Sequence, residues 1–266
     1  MTAAPASGDA FAFESPWGHG RPLAGQTGLV TGAGRGIGRG VAQELAAAGA
    51  YVVAADIDRA TAQDTIDGLA GPGEAAQVDV ADPASVDELL GSLTGAGKRI
   101  DVLANVAGVL SISSVRDLRA QEWDRIFAVN ARGTFLVAKA TLPGMIAAGK
   151  GAIINISSAA GKDGVAGSAH YSSSKFAVVG FTQSLAKEVA ELGIRVNAVC
   201  PGVVKTQMIA DVAAAWETSA EAMVNDWQLI KRPQQAREIG AAVVFLAVMT
   251  SMTGQSINVD GGSIFH

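Results

Sequence analysis

The chain is expected to fold as one α/β domain, a doubly wound parallel sheet with helices on both faces. Three observations carry this expectation. Short apolar runs rich in Val and Ile alternate with longer stretches of helical character along the chain. A glycine-rich turn, Thr31-Gly-Ala-Gly-Arg-Gly-Ile-Gly38, follows the first apolar run and opens the first helical stretch. Of the 266 residues 49% are hydrophobic and only 17% charged, enough apolar surface to bury a sheet on both sides.

The elements follow in order. Gly28–Thr31 reads as a buried strand, and a helix runs from about Ile37 to Ala48, where Gly49 stops it. Tyr51–Ala55 is the second strand, ending at Asp56, with a helix through Leu69 and a short strand around Ala76–Val78. Asp82-Pro83 opens the next helix, the carboxylate as N-cap and the proline at the first helical position. Ile100–Ala104 is a fourth strand; helices cover about Gln121–Val129 and Gly133–Ala148, and Ala152–Ile156 is a fifth strand. A long helix begins near Tyr171 and ends by Gly193, followed by the strand Arg195–Val199. Thr206–Arg232 reads as a lid of short helices or irregular chain, Pro233–Val248 as a helix and Ser256–Val259 as a last strand. Residues 23–266 would make up the folded domain. Met1 to about Pro22, rich in Ala, Gly and Pro without a basic or continuous apolar stretch, reads as a flexible extension rather than a signal peptide.

Composition excludes several classes. The net charge of −5 carries no basic stripe for nucleic acid and no Lys/Arg run for an anionic membrane surface, and no segment is apolar enough to span a bilayer. Cys200 is the only cysteine, which rules out a disulfide framework and fits a reducing cytoplasm. The three histidines, His19, His170 and His266, lack metal-ligand spacing, so no metal is expected.

The chemistry is carried by two features. The glycine turn follows a strand and opens a helix, the setting of a Rossmann-type phosphate site. Gly32 allows the tight turn, Gly36 and Gly38 admit a pyrophosphate, and the helix N-terminus supplies N–H donors and positive dipole. Asp56, 18 residues past Gly38, can accept the adenosine ribose hydroxyls and would repel a 2′-phosphate; Arg35 is the counter-signal, a guanidinium able to receive one. The balance favours NAD over NADP. The second feature is Tyr171 and Lys175, four residues apart and therefore on one helix face. A cation there should lower the tyrosine pKa; bringing it near neutrality takes ~3 units, or ~4 kcal/mol. Together they point to hydride chemistry at an alcohol or ketone.

From about Leu23 onward the chain resembles the short-chain dehydrogenase/reductases of ordinary length. The motifs stand in family order: the glycine turn, Asp79-Val80, Asn105-Val-Ala-Gly108, Asn130, Ser157-Ser158, Tyr171-x-x-x-Lys175 and Pro201-Gly202. The resemblance implies a catalytic set of Asn130, Ser158, Tyr171 and Lys175. Tyr171 would be the acid/base and Lys175 its partner on the nicotinamide ribose; Ser158 would bind the substrate oxygen and Asn130 would hold a water joining Lys175 to solvent. It also implies that Asp79 meets the adenine, with Val80 packing nearby and Asn105, Ala107 and Gly108 flanking the adenosine side. Pro201, Gly202, Val204 and Thr206 would lie along the nicotinamide, and Ile37 and Ile57 would complete the cofactor contacts. Val106 departs from the family, which usually has a second asparagine there. Parts of the chain look most like enzymes of acetoin, butanediol and sugar alcohols, which implies a small diol, acyloin or polyol as substrate. The alternatives are a 3-oxoacyl-thioester reductase, a hydroxysteroid dehydrogenase and, from another class, a dinucleotide-binding regulator without catalysis. The family also implies a homotetramer.

Overall fold

Seven parallel strands form one sheet in the order β3-β2-β1-β4-β5-β6-β7. This is the arrangement in the computed structural model, which describes residues 13–17 and 20–266. The strands are β1 Thr27–Thr31, β2 Tyr51–Asp56, β3 Gly73–Gln77, β4 Val102–Asn105, β5 Gly151–Ile156, β6 Ile194–Pro201 and β7 Ser256–Val259. Between them lie α1 Gly36–Ala47, α2 Arg59–Asp67, α3 Pro83–Gly95, α4 Ala120–Phe127, α5 Thr134–Ala148, α6 Ala169–Val189, α7 Gln207–Ala215, α8 Ala220–Trp227 and α9 Ala236–Val248. Sequential crossovers run outward from β1 to β3, then from β4 to β7 on the other side. The order therefore reverses between β1 and β4, where an open α/β sheet leaves a ligand crevice beyond its strand ends.

Alternation along each strand builds two cores. Leu29, Val53, Leu103 and Ile153 face one side, with Leu89, Val137 and Leu185 from α3, α5 and α6. Val30, Val52, Ala104 and Ile154 face the other, with Leu45, Val243 and Leu246 from α1 and α9. Each fully buried Leu or Ile contributes ~1.5–3 kcal/mol. A polar residue on either face of a central strand would therefore be expelled unless it is hydrogen-bonded.

The sequence reading places most elements within a few residues, and the departures have local causes. β3 lies earlier than the expected Ala76–Val78, because Gly73–Gln77 pairs residue by residue with Val52–Asp56. It is an edge strand, only half-buried, and Gly-Glu-Ala-Ala-Gln lacks the apolar run that marks a central strand. α9 starts at Ala236 rather than Pro233, since Gln235 and Glu238 form a reciprocal capping box and Gln234 bridges to Val204. The separate helices expected around residue 130 are joined by a π-helical segment, Ala128–Gly133.

For residues 1–12 and 18–19, the flexible extension expected over 1–22 falls outside the described residues. Of the rest, Ser15 donates to Glu44 Oε2 at 2.5 Å, Trp17 packs against the α1/α9 core, and the Arg237 guanidinium lies 5.5 Å from the Phe13 ring centre. Among the described residues no helix is long and apolar enough to cross a membrane.

Candidate active site

The turn after β1 is shaped by what it excludes. Gly32 has φ +66°, and a Cβ there would sit 2.7 Å from the Ala107 Cα. A Cβ on Gly38 would stand 2.0 Å from the Gly32 carbonyl oxygen. The turn is therefore closed to side chains at both positions, leaving backbone N–H groups at the start of α1 as the surface offered to a ligand. Thr31, quoted in the motif but given no role by sequence, holds this turn to the next strand: its hydroxyl accepts from the Val106 and Ala107 amides at 3.1 and 3.2 Å. Asp56 Oδ2 accepts from Gly34 N at 2.8 Å, which places a carboxylate beside the turn at the end of β2. Arg35 is exposed, as is Ile57, whereas Ile37 packs inward against the α1 core. Glycines that bar Cβ atoms, a helix N-terminus and a carboxylate at the neighbouring strand end fit a dinucleotide.

Other expected cofactor residues divide. Asp79 Oδ1 accepts from Ala81 N, and Val80 is buried against Gly133. Asn105 turns inward rather than flanking the crevice: its amide donates to Asn155 Oδ1 at 2.9 Å, and Asn155 donates to Thr182. That bond between adjacent strands satisfies the Asn105 amide N–H, while its Oδ1 is buried without a partner among the described residues. Val106, where the family usually has asparagine, packs against the α1 core. A Cβ on Gly108 would lie 3.4 Å from both Asn130 Oδ1 and Lys175 Nζ, so this glycine lets the two approach. Beyond β6, Gly202 packs on Asp260 and Val204 is buried. Thr206 caps α7, donates to Val204 O at 3.2 Å and brings its methyl to 3.3 Å from where a Gly36 Cβ would be, so the lid begins directly over the phosphate turn.

The expected catalytic residues converge from three elements. Tyr171 and Lys175 lie in the first two turns of α6, Ser158 follows β5 and Asn130 comes from the π-helical segment. Extra residues in a helical turn re-aim a side chain, and π segments recur at functional sites for that reason. Lys175 is buried, donates to Ile156 O at 2.9 Å, and its ammonium is 5.7 Å from the Tyr171 ring centre. Burial brings its pKa down to about 8. Burial also raises Tyr171 above its ordinary value, only partly offset by the hydrogen bond from Ser158. The expected lowering of the tyrosine pKa is thus reversed: desolvation of the phenolate outweighs a cation held toward Ile156. Asn130 is fully engaged: Nδ2 donates to Val109 O and Ser174 Oγ, each at 2.9 Å, and Oδ1 accepts from Val109 N at 2.8 Å. Its side chain clamps the chain leaving β4, a role the resemblance did not supply.

The lid closes over an apolar cluster. Val203, Val212, Met223 and Val224 form a third core under the lid, joined by Leu110, Ile112, Ile209 and Trp216. Trp216 and Trp227 meet edge to face, their ring centres 5.6 Å apart. Lys162 donates to the carbonyls of Ser256 and His266, both at 2.7 Å.

This geometry, a glycine turn at the sheet's switch point with a Tyr/Lys/Ser/Asn constellation at its far end, is that of a nicotinamide-dependent oxidoreductase. A family model described as short chain dehydrogenase matches residues 26–217, well over half the chain, and the protein belongs to that family. The chain is 36% identical over 242 residues to the 3-oxoacyl-[acyl-carrier-protein] reductase FabG of Vibrio cholerae, covering 90% of this chain and 98% of that protein. It is 37% identical over 248 residues to the (3R)-3-hydroxyacyl-CoA dehydrogenase of Rattus norvegicus, covering 88% and 94%. A short-chain type dehydrogenase/reductase from Mycobacterium marinum superposes with a TM-score of 0.85 at 32% identity, covering 92% of this chain and 97% of that one.

Proposed function

We propose that the enzyme moves a hydride between NAD(H) and C3 of a 3-hydroxyacyl/3-oxoacyl thioester. NAD(H), when bound, supplies or accepts the hydride. Gly32, Gly36 and Gly38 would admit its pyrophosphate to the start of α1, and Asp56 would take the adenosine ribose hydroxyls. The observation that carries the reaction is the Tyr171–Ser158–Lys175 arrangement at the open end of that cradle. In reduction Ser158 Oγ–H holds the carbonyl oxygen, and the Tyr171 phenol gives its proton to that oxygen as it becomes an alkoxide. The Lys175 ammonium then stabilises the phenolate left behind. Burial keeps the phenol protonated at neutral pH, which favours the reductive direction there.

The choice of substrate rests on the apolar wall and the relatives' activities. Leu110, Ile112, Ile209 and Trp216 offer no side-chain acceptor for a polyol but suit an acyl chain. They therefore support the thioester reading over the small diol suggested by motif resemblance. Exposed Phe135 and Phe176 on α5 and α6 support the homotetramer, since large apolar side chains left on paired helices mark an interface.

Initial rates with NADH and NADPH on short and long 3-oxoacyl-CoAs, beside acetoin, butanediol and sugar alcohols, test this directly. Turnover of thioesters with NADH is expected. Turnover confined to diols or polyols would restore that reading, and binding of NADH without turnover of anything would leave a regulator. Asp56→Asn should weaken NADH by ~10–100-fold, the value of hydrogen bonds to a charged group, and improve NADPH. NADPH-only activity in the parent enzyme would show that Arg35 outweighs Asp56.

A further inference from the structure

In the segment leaving β4, residues 109–113, Leu110 and Ile112 join the apolar core under the lid. Val109, Ser111 and Ser113 are each held by hydrogen bonds to neighbouring elements. Val109 is gripped through both backbone groups by Asn130. Ser113 N donates to Gly167 O at 2.8 Å. Ser111 Oγ lies 2.8 Å from His170 Nε2.

His170 adjoins Tyr171 in the first turn of α6, with its side chain fully buried. Nearby Glu122 of α4 has its carboxylate pKa held down at about 2, first by Arg125 and then by Ser111. Arg125 meets that carboxylate through two hydrogen bonds of 2.7 and 2.8 Å. One hydrogen joins Ser111 Oγ and His170 Nε2, donated by whichever of the two carries it in the ring tautomer present. Nδ1 is buried and without a partner among the described residues. Burial lowers the His170 pKa, against the pull of Glu122 and the Ser111 carbonyl, so the ring is neutral. The ring is thus anchored on one side only, toward the substrate wall.

We propose that His170 is a positioning residue: through Ser111 it fixes the substrate wall 109–113 against the helix that carries Tyr171, and so sets substrate affinity without taking part in proton transfer. The sequence shows His170 only as a histidine without metal-ligand spacing; what distinguishes it is the neighbour it finds 59 positions earlier in the chain.

Two readouts test this. Hydrogen exchange of the 110–113 amides needs no substrate. His170→Leu should accelerate it ~10-fold, the worth of one hydrogen bond, with β1 amides unchanged, and His170→Gln, which keeps a hydrogen-bonding group at similar reach, should restore it. Ser111→Ala should act like His170→Leu, and the double variant should be no worse than either, because both remove one interaction. It also stands in should His170→Leu fail to fold. The kinetic arm rests on the thioester reading: KM for a long-chain 3-oxoacyl-CoA should rise ~10-fold with kcat within about twofold. If the parent enzyme turns over no thioester, that reading fails, and the exchange arm alone decides the clamp. Unchanged exchange overturns the proposal, as does additivity in the double variant. A large fall in kcat at constant KM with an altered pH profile would instead make His170 a proton-transfer group.

Discussion

The two sides of the crevice between β1 and β4 are held by different kinds of contact. On the cofactor side the surface is backbone: Gly32 and Gly38 leave no room for a Cβ, and Thr31 and Asp56 tie amides to one another across strand ends. On the substrate side the surface is side chain. Leu110 and Ile112 from the chain after β4 meet Ile209 and Trp216 of the lid. A backbone surface tolerates little change and recognises what many dinucleotide-binding proteins recognise. A side-chain surface can be rewritten residue by residue, so it is where relatives of one fold diverge in substrate.

The largest effect should come where the two sides meet. Tyr171→Phe keeps the ring and removes the proton, and turnover should fall by ~10²–10⁴-fold with NADH binding retained. Full activity in that variant would refute the assignment. The pH profile sharpens the same point. Tyr171 is raised by burial, so the phenolate needed for alcohol oxidation is scarce at neutral pH. Oxidation should therefore climb ~10-fold per pH unit, flattening from about pH 8, where Lys175 gives up its proton and stops stabilising the phenolate. Reduction, which needs the phenol and the Lys175 ammonium, should stay level up to about pH 8 and fall above it. Oxidation that is already pH-independent at pH 6 to 7 would mean a tyrosine pKa below neutrality and would reinstate the lowering expected from sequence.

Next in size is a break confined to the cofactor side. Gly38→Ala places a methyl 2.0 Å from the Gly32 carbonyl, and both atoms belong to backbone that cannot swing away. The turn must deform, so NADH affinity measured by fluorescence titration should drop at least ~10-fold, as for loss of a charge-assisted hydrogen bond. The substrate wall should keep its exchange protection. Loss of both together would mean that the two sides are one cooperative unit, and the comparison would fail.

This contrast also explains what could be read from the chain. The glycine turn and the Tyr/Lys pair are local: each is a short spacing on one element, so Gly32, Gly36 and Gly38 fall at the turn between β1 and α1, and Tyr171 and Lys175 lie on one helix, as the spacing predicts. Asn105 was misjudged because its partner, Asn155, is 50 residues away on the adjacent strand, and only the register brings them together. The same holds for His170 with Ser111 and for the π-helical turn that aims Asn130; no periodicity announces one extra residue in a helix. β3 slipped because an edge strand needs no apolar signature. Legibility followed the sequence distance over which each interaction is made.

The smallest prediction separates packing from recognition within the lid itself. Trp216 and Trp227 form one aromatic pair, worth ~0.5–1.5 kcal/mol beyond burial, so loss of either ring should lower stability by a similar amount. Their other contacts differ. Trp216 belongs to the cluster with Leu110 and Ile112, and its Nε1 lies 3.7 Å from where a Gly167 Cβ would be, beside the segment leading into Tyr171. Trp227 is 42% exposed on the outer helix of the lid. Trp216→Ala should therefore raise KM for long-chain over short-chain 3-oxoacyl-CoA by ~5-fold, the value of part of a buried side chain, while Trp227→Ala leaves that ratio unchanged. Thermal unfolding checks the shared stability effect, and the ratio of the two KM values checks the difference. If both variants shift the ratio equally, the lid acts as a single packed plate and Trp216 holds no special place on the substrate wall.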